Sequence, residues 1–431
     1  DAQESRGLGD VYKRQKIGYS ILSLAAVMLG VAGCGSGDSA SENKQIRMFV
    51  SGDTSEGGAY SKMAEKYKEE TGVTVEVTDV PYADLLTKIT KAVQADDAPE
   101  VVRVSTVQPD WNDYLMDLSD IASEANTLES MTIKDEADVV KALPSDVTAT
   151  GLFINTDLFD EAGVTYPTSE EDIWTWDEFL TAINEVVEKT DAKYGMVMDA
   201  SDHRLRAFTY QYGGQDFFLD DSGDSYTTDD ATKAALQKFV DLNNDEVMPK
   251  SVWTSGEDAS AMFKSGRVPA YFSGSWQIVD FSTNISNFNW QSTYSPYEET
   301  RAVNMGGNFI TGFNNSKNSE EGEKFIKWLY EEENYKQLCT YAGYLPAVED
   351  LTVDYEQGQD AYEIYNQEIA AAAQPISSKQ TTDQVTMSMK GYTGLTGAYR
   401  DAIVQVLNDE ITLDEAIDKT IKDYNDGFLK K

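Results

Sequence analysis

One histidine and two cysteines, Cys34 and Cys339, are all that 431 residues offer to imidazole, thiol or zinc chemistry. If Cys34 is modified, as argued below, Cys339 has no partner, so neither a disulfide framework nor a cysteine-based metal site can form. The setting Tyr335-Lys336-Gln337-Leu338-Cys339 instead suits a small buried hydrophobe. His203, flanked by Asp202 and Arg204, would have to carry any hydrolytic triad, yet no G-x-S-x-G elbow accompanies it, and Gly274-Ser275-Trp276 lacks the spacing. With no H-E-x-x-H and no paired cysteines, zinc ligands would have to be carboxylates. Gly52 and Gly57 have the glycine spacing of a P-loop, but Gly58-Ala59 stand where Lys-Ser/Thr is required. No catalytic residue, metal or cofactor is therefore expected. Positive charge is scarce too: 35 Lys and Arg face 75 Asp and Glu, and the net charge of −40 repels phosphate backbones, which argues against a nucleic-acid partner. Glycoside hydrolysis needs only two carboxylates, so composition leaves it open, although no local spacing supports it.

Long apolar runs are also missing. The longest, residues 17–33, falls short of the roughly 20 residues that a membrane-spanning helix needs. Lys13, Arg14 and Lys16 precede it as a basic n-region, residues 21–31 form an apolar h-region, and Ala32 and Gly33 are small enough for a signal peptidase. The ending Val31-Ala32-Gly33-Cys34 resembles the bacterial lipobox, in which the cysteine is acylated and becomes the new N-terminus. An uncleaved membrane anchor is the alternative. At about 0.8 kcal/mol per buried methylene, two or three acyl chains would hold a soluble domain at the membrane, on the outer face of the cytoplasmic membrane. Residues 34–44 then read as the lipidated cysteine and a flexible polar tether, and residues 1–33 as a removed leader. Within that leader, residues 5–15 resemble a translated library adapter and are set aside.

The remaining length, with 41% hydrophobic and 11% aromatic residues, is too great for one core and suits two lobes. Residues 46–50 read as a strand, 51–58 as a loop, and Tyr60, Met63, Ala64 and Tyr67 as one helix face ending at Gly72. Strands at 73–77 and 101–104 bracket a helix carrying Leu85, Leu86, Ile89 and Val93. This alternation predicts an α/β fold with mostly parallel sheets, where ligands sit beyond the strands' carboxyl ends, here loops 51–58 and 105–111. The polar stretch 144–150 reads as a break before a strand at 151–155 and as the first crossover between lobes. Thr175-Trp176-Asp177-Glu178 is a capping box opening a helix with Phe179, Ile183, Val186 and Val187, and Thr412 to Glu415 repeats the device. Further strands are expected at 194–198, 268–272 and 308–313, with helices at 229–244 and 257–265. Residues 217–227 suggest a hairpin turning at Ser222-Gly223, its aspartates lacking EF-hand spacing.

Aromatic residues beside small polar ones on expected loops are the positive functional signal: Asp110-Trp111, Ser275-Trp276 and Trp253-Thr254. Stacking rings with hydrogen-bonding neighbours suit the apolar faces and polar rims of sugars, whereas a tryptophan taken singly is more often core.

Residues 60–77 (YSKMAEKYKEETGVTVEV), 150–164 (TGLFINTDLFDEAGV), 175–180 (TWDEFL), 274–277 (GSWQ), 343–347 (GYLPA) and 413–416 (LDEA), in this order behind a lipobox, resemble the extracellular solute-binding proteins of family 1. These are lipid-anchored sugar receptors of ABC importers. The resemblance implies two α/β lobes closing on a ligand, with 45–148 plus 304–342 as one lobe and 149–303 plus 343–431 as the other, and crossovers near 148–151, 301–306 and 341–345. It implies Asp53 as a polar ligand contact, Trp276 as the stacking aromatic, and contacts near 201–204. Thr54, Ser55, Asp110, Trp111, His203, Arg204, Trp253, Ser275, Gly307 and Asn308 complete the candidate ligand set. Maltose-type members carry a further aromatic where Leu395-Thr396-Gly397 stands here, leaving Tyr392 or Tyr399 as substitutes. The implied partners are a carbohydrate, the permease subunits and, through Cys34, the membrane, with the protein itself a monomer. A non-sugar solute such as a polyol phosphate, which Arg103, Arg204 or Arg301 would bind, and a lipid-anchored glycosidase are the alternatives.

Overall fold

The computed structural model describes residues 45–53, 57–220, 222, 224–372 and 398–428. Strands β1 (Gln45–Val50), β2 (Thr74–Asp79) and β3 (Val101–Val104) follow the expected order, joined by helices Ala59–Thr71 and Tyr82–Gln94. The first of these helices stops at Gly72, whose φ of 78° lies in the left-handed region glycine adopts without a Cβ penalty. Then come β4 (Ile133–Lys134), β5 (Val140–Asn155), β6 (Met196–Met198), the hairpin β7 (Phe217–Leu219) and β8 (Tyr226–Thr228), β9 (Ala270–Gly274), β10 (Trp290–Thr293) and β11 (Met305–Gly312). The large sheet runs β2-β1-β3-β11-β5-β9-β6, with β10 and β4 also paired to β5. Its parallel pairings lie at the flanks, β1 with β2 and β3, and β6 with β9. Its middle, where β11 and β5 meet, is antiparallel.

The break expected at 144–150 is a correction: β5 runs unbroken through it for 16 residues. Its polar side chains stay in a buried strand because distant partners satisfy them, Asp146 through Arg103 and Asn308, and Thr150 through the Asn304 amide. Pro144 has no N–H to give a ladder, and the register with β11 slips beside it, pairing Asn308 with Asp146 but Phe309 with Pro144. The Pro144 and Ser145 carbonyls accept instead from the Tyr330 and Tyr335 hydroxyls.

Separate cores form on the two ends of this sheet. One gathers Ile46, Met48, Tyr67, Phe325 and Leu329 with Cys339, which is wholly buried, and extends to Tyr344 and Val353. Trp111, Phe313, Val102 and Ile89 pack on the other face of the same strands. The other end is built on Phe153, Trp176, Phe179, Phe208, Tyr271 and Phe272. Both capping boxes are present: Thr175 Oγ1 accepts from the Glu178 N–H while Glu178 accepts from the Thr175 N–H, and Thr412 with Glu415 does the same. The helix expected at 229–244 is Asp230–Leu242. The one expected at 257–265 is Ala259–Lys264, preceded by a short helix, Lys250–Ser255.

Candidate functional site

A cavity of about 790 Å³ lies where β5 and β11 cross between the two cores. Its wall draws on Ser51 and Gly52 after β1, Ser105 and Thr106 after β3, Ser275 to Gln277 after β9, and Gly343 and Tyr344 after helix Glu332–Ala342. The ends of β1, β3 and β9 thus feed the site in the way open α/β sheets do.

Trp276 is the prominent feature. Its side chain is 40% exposed, whereas most tryptophans here are in the cores. A Cβ built on Gly274 would lie 2.0 Å from Trp276 Cζ3, so the glycine is needed for the ring to fold back on its own backbone. The Arg204 guanidinium sits 4.3 Å from the ring centroid, a cation–π contact. Arg204 Nη2 donates to Asp199 Oδ2 at 2.7 Å, and Asp199 also accepts from the Tyr271 and Ser273 hydroxyls at 2.5 and 2.6 Å.

His203 and Arg204 enter the wall from the first turn of helix Asp202–Gln211, where the Ser201 side chain accepts from the His203 N–H. Asn304 Nδ2 lies 3.2 Å from His203 Nδ1, and since the amide donates, the imidazole accepts there and carries its proton on Nε2. Burial, then the charges of Arg206 and Arg204, push the His203 pKa down to about 3, so the ring is neutral at physiological pH. On the opposite side, Arg103 Nη2 meets Asp146 Oδ1 at 2.9 Å with both side chains almost fully buried. The Arg103 guanidinium also lies 4.6 Å from the Tyr344 ring centroid.

Of the candidates from sequence, His203, Arg204, Ser275, Trp276, Gly307 and Asn308 converge on this wall. The others do not. Asp53 is 3% exposed and its carboxylate accepts from the Tyr60 N–H and Ser61 Oγ, holding the first turn of helix Ala59–Thr71 rather than facing the cavity. Asp110 is exposed off the wall, while Trp111 is fully buried, its Nε1 donating to Thr90 Oγ1 and its ring set edge-on to Phe313. Trp253 packs edge-on to Phe239 in the other core, and Tyr399 against Phe217. Cys34, Thr54, Ser55 and Tyr392 lie outside the described residues. Asp146, Asn304 and Tyr344 were absent from the candidate set, although a charged residue inside the apolar run Val101-Val102-Arg103-Val104 is a readable sign of a buried acidic partner.

Among relatives, the lactose-binding protein of Rhizobium radiobacter is 28% identical over 224 residues, 50% of this chain and 51% of that protein, so the chain spans about half the relative's length. A putative binding protein of Brucella abortus is 22% identical over 82% of this chain and 84% of its own. Among solved structures, the GacH receptor of Streptomyces glaucescens, studied unliganded and with acarbose, superposes with a TM-score of 0.71 at 21% identity over 90% of this chain and 99% of that one. A solute-binding protein of Thermotoga lettingae bound to α-D-tagatose gives 0.71 at 19% identity over 89% and 100%. These likenesses support the two-lobed α/β fold. The family described as bacterial extracellular solute-binding protein matches residues 62–363, well over half of the chain, and the protein belongs to that family.

Proposed function

We propose that this protein captures an extracellular carbohydrate, an oligosaccharide rather than a single ring, and delivers it to an ABC importer. The observation that carries this reading is the half-exposed Trp276 ring on the wall of the cavity, with hydrogen-bonding groups around it. Sugars match that combination, and about 790 Å³ falls at the upper end of the range of small-ligand sites, with room for more than one ring. The relatives named as lactose- and arabinooligosaccharide-binding proteins point the same way. We assign residues 45–148 with 304–342 to one lobe and 149–303 with 343–431 to the other, except that Tyr344 and Val353 pack into the first lobe's core. The lobes hinge at the crossing strands and close on the ligand. Calorimetry against a panel of oligosaccharides, with product analysis of the same samples, tests the proposal. Saturable binding with the sugar recovered intact is expected, together with a smaller radius of gyration by X-ray scattering. Recovery of cleaved sugar, or no binding across the panel, would overturn it.

The chain is monomeric and held to the outer face of the cytoplasmic membrane through acylated Cys34, with 35–44 as tether. Cys34→Ala, expressed in a bacterial host behind an initiator methionine, is expected to take up no labelled fatty acid.

A further inference from the structure

Packing does little to hold the Trp276 ring. It is 40% exposed, and among the described residues no other aromatic ring lies against it, whereas Trp111 meets Phe313 and Trp253 meets Phe239 in the cores. What covers it is the Arg204 guanidinium, 4.3 Å from the ring centroid. A cation–π contact at a part-exposed ring is weak by itself, and a free arginine has many rotamers to visit. The ring therefore keeps one orientation only if something fixes the arginine.

Asp199 fixes it. Its Oδ2 accepts from Arg204 Nη2 at 2.7 Å and from Ser273 Oγ at 2.6 Å, and its Oδ1 accepts from the Tyr271 hydroxyl at 2.5 Å. Tyr271 and Ser273 stand two residues apart on β9 and so share one of its faces, while Asp199 directly follows β6, the strand paired with β9. Two paired strands thus set the place of the carboxylate, and the carboxylate sets the place of the guanidinium. Gln277, the residue after Trp276, donates from Nε2 to the Tyr271 hydroxyl at 3.2 Å. The contacts close into a circuit, running from the ring through Arg204, Asp199, Tyr271 and Gln277 back to the Trp276 backbone. Asp199, Tyr271 and Ser273 do not line the cavity, so ligand contact is not what brings them together.

Resting on the carbohydrate reading above, we infer that Asp199 is a positioning residue, which through Arg204 holds the Trp276 ring in the orientation a sugar stacks on, so that binding does not have to order the ring. The full chain labelled with fluorotryptophan gives a fluorine NMR spectrum in which the Trp276 resonance is identified by its loss in Trp276→Phe. In ligand-free Asp199→Ala that resonance is expected to shift or broaden, while those of the core tryptophans Trp111 and Trp253 stay in place. Calorimetry with an oligosaccharide panel of lactose, maltotriose, arabinotriose and their longer homologues supplies the second readout. Asp199→Ala is expected to weaken the sugar that the wild type binds by about three- to tenfold, the effect of one more side chain to be ordered on binding. In a Trp276→Ala background the same change is expected to cost less than about twofold, because no ring remains to be positioned. Ser273→Ala and Tyr271→Phe each remove one donor to Asp199 and leave Arg204 paired. They are expected to show the same pattern at smaller size, and they replace Asp199→Ala if it melts too low to titrate. A loss that persists undiminished in the Trp276→Ala background, or a Trp276 resonance that does not move, would overturn the inference and leave carbohydrate capture standing. Failure of the wild type to bind any sugar of the panel would instead overturn the carbohydrate reading and this inference with it.

Discussion

Replacing Trp276 by alanine separates recognition from packing. With 40% of the side chain exposed, and about 250 Å² as the upper figure for a tryptophan, roughly 100 Å² of ring is free for a ligand to cover. At about 25 cal/mol per Å² that surface contributes on the order of 2.5 kcal/mol, so Trp276→Ala is expected to weaken saccharide binding about 50- to 100-fold. The rest of the ring lies on Gly274 and Arg204, neither of which is an apolar core, so truncation should cost well below the roughly 3–5 kcal/mol of a buried tryptophan. The melting temperature of the ligand-free variant should fall by only about 2–4 °C. Calorimetry and thermal unfolding on the same preparation decide the matter. Near-wild-type affinity alongside a large drop in melting temperature would show that the ring packs rather than binds, and the site argument would fail with it.

Arg103→Met leaves Asp146 buried without its counter-ion and is expected to destabilise the protein by about 3–5 kcal/mol in urea unfolding, with the double change Arg103→Met and Asp146→Asn recovering part of the loss. Gly307→Ala places a Cβ 2.2 Å from the Asp146 carbonyl oxygen, a backbone atom held in the crossing strands. It should cost about 1–3 kcal/mol and reduce ligand affinity, both read from melting curves with and without sugar. His203 has a pKa near 6.5 when unfolded and about 3 when folded, so the unfolded chain binds more protons between those values. Its contribution is therefore complete above about pH 6.5 and shrinks as pH falls towards 3. The stability difference between wild type and His203→Gln should drift by at most about 1.4 kcal/mol per pH unit across that window, and parallel curves would contradict the buried neutral ring.

Local devices were legible without coordinates. The capping boxes at Thr175 and Thr412 and the glycine stop at Gly72 each need only residues within a few positions, so the chain states them directly. Strand and helix order, and with it the α/β class, followed from periodicity in the same way. The Ser275-Trp276 pair after β9 was also readable, because glycine, serine and an aromatic at a strand's carboxyl end have few uses besides a site. What the sequence could not separate was Trp276 from Trp111 and Trp253. All three sit beside small polar residues, and only the packing of Phe313, from far along the chain, on Trp111 and of Phe239, from the preceding helix Asp230–Leu242, on Trp253 turns two of them into core. The same holds for residues 144–150, polar enough to look like a loop but held as strand by Arg103, Asn308 and Asn304. Asp53, too, had a loop's position and a helix's partners. Composition and spacing thus determined the elements and the kind of chemistry available, while burial decided which side chains meet the ligand. Burial depends on contacts between residues remote in sequence, and those exist only once the tertiary structure has formed.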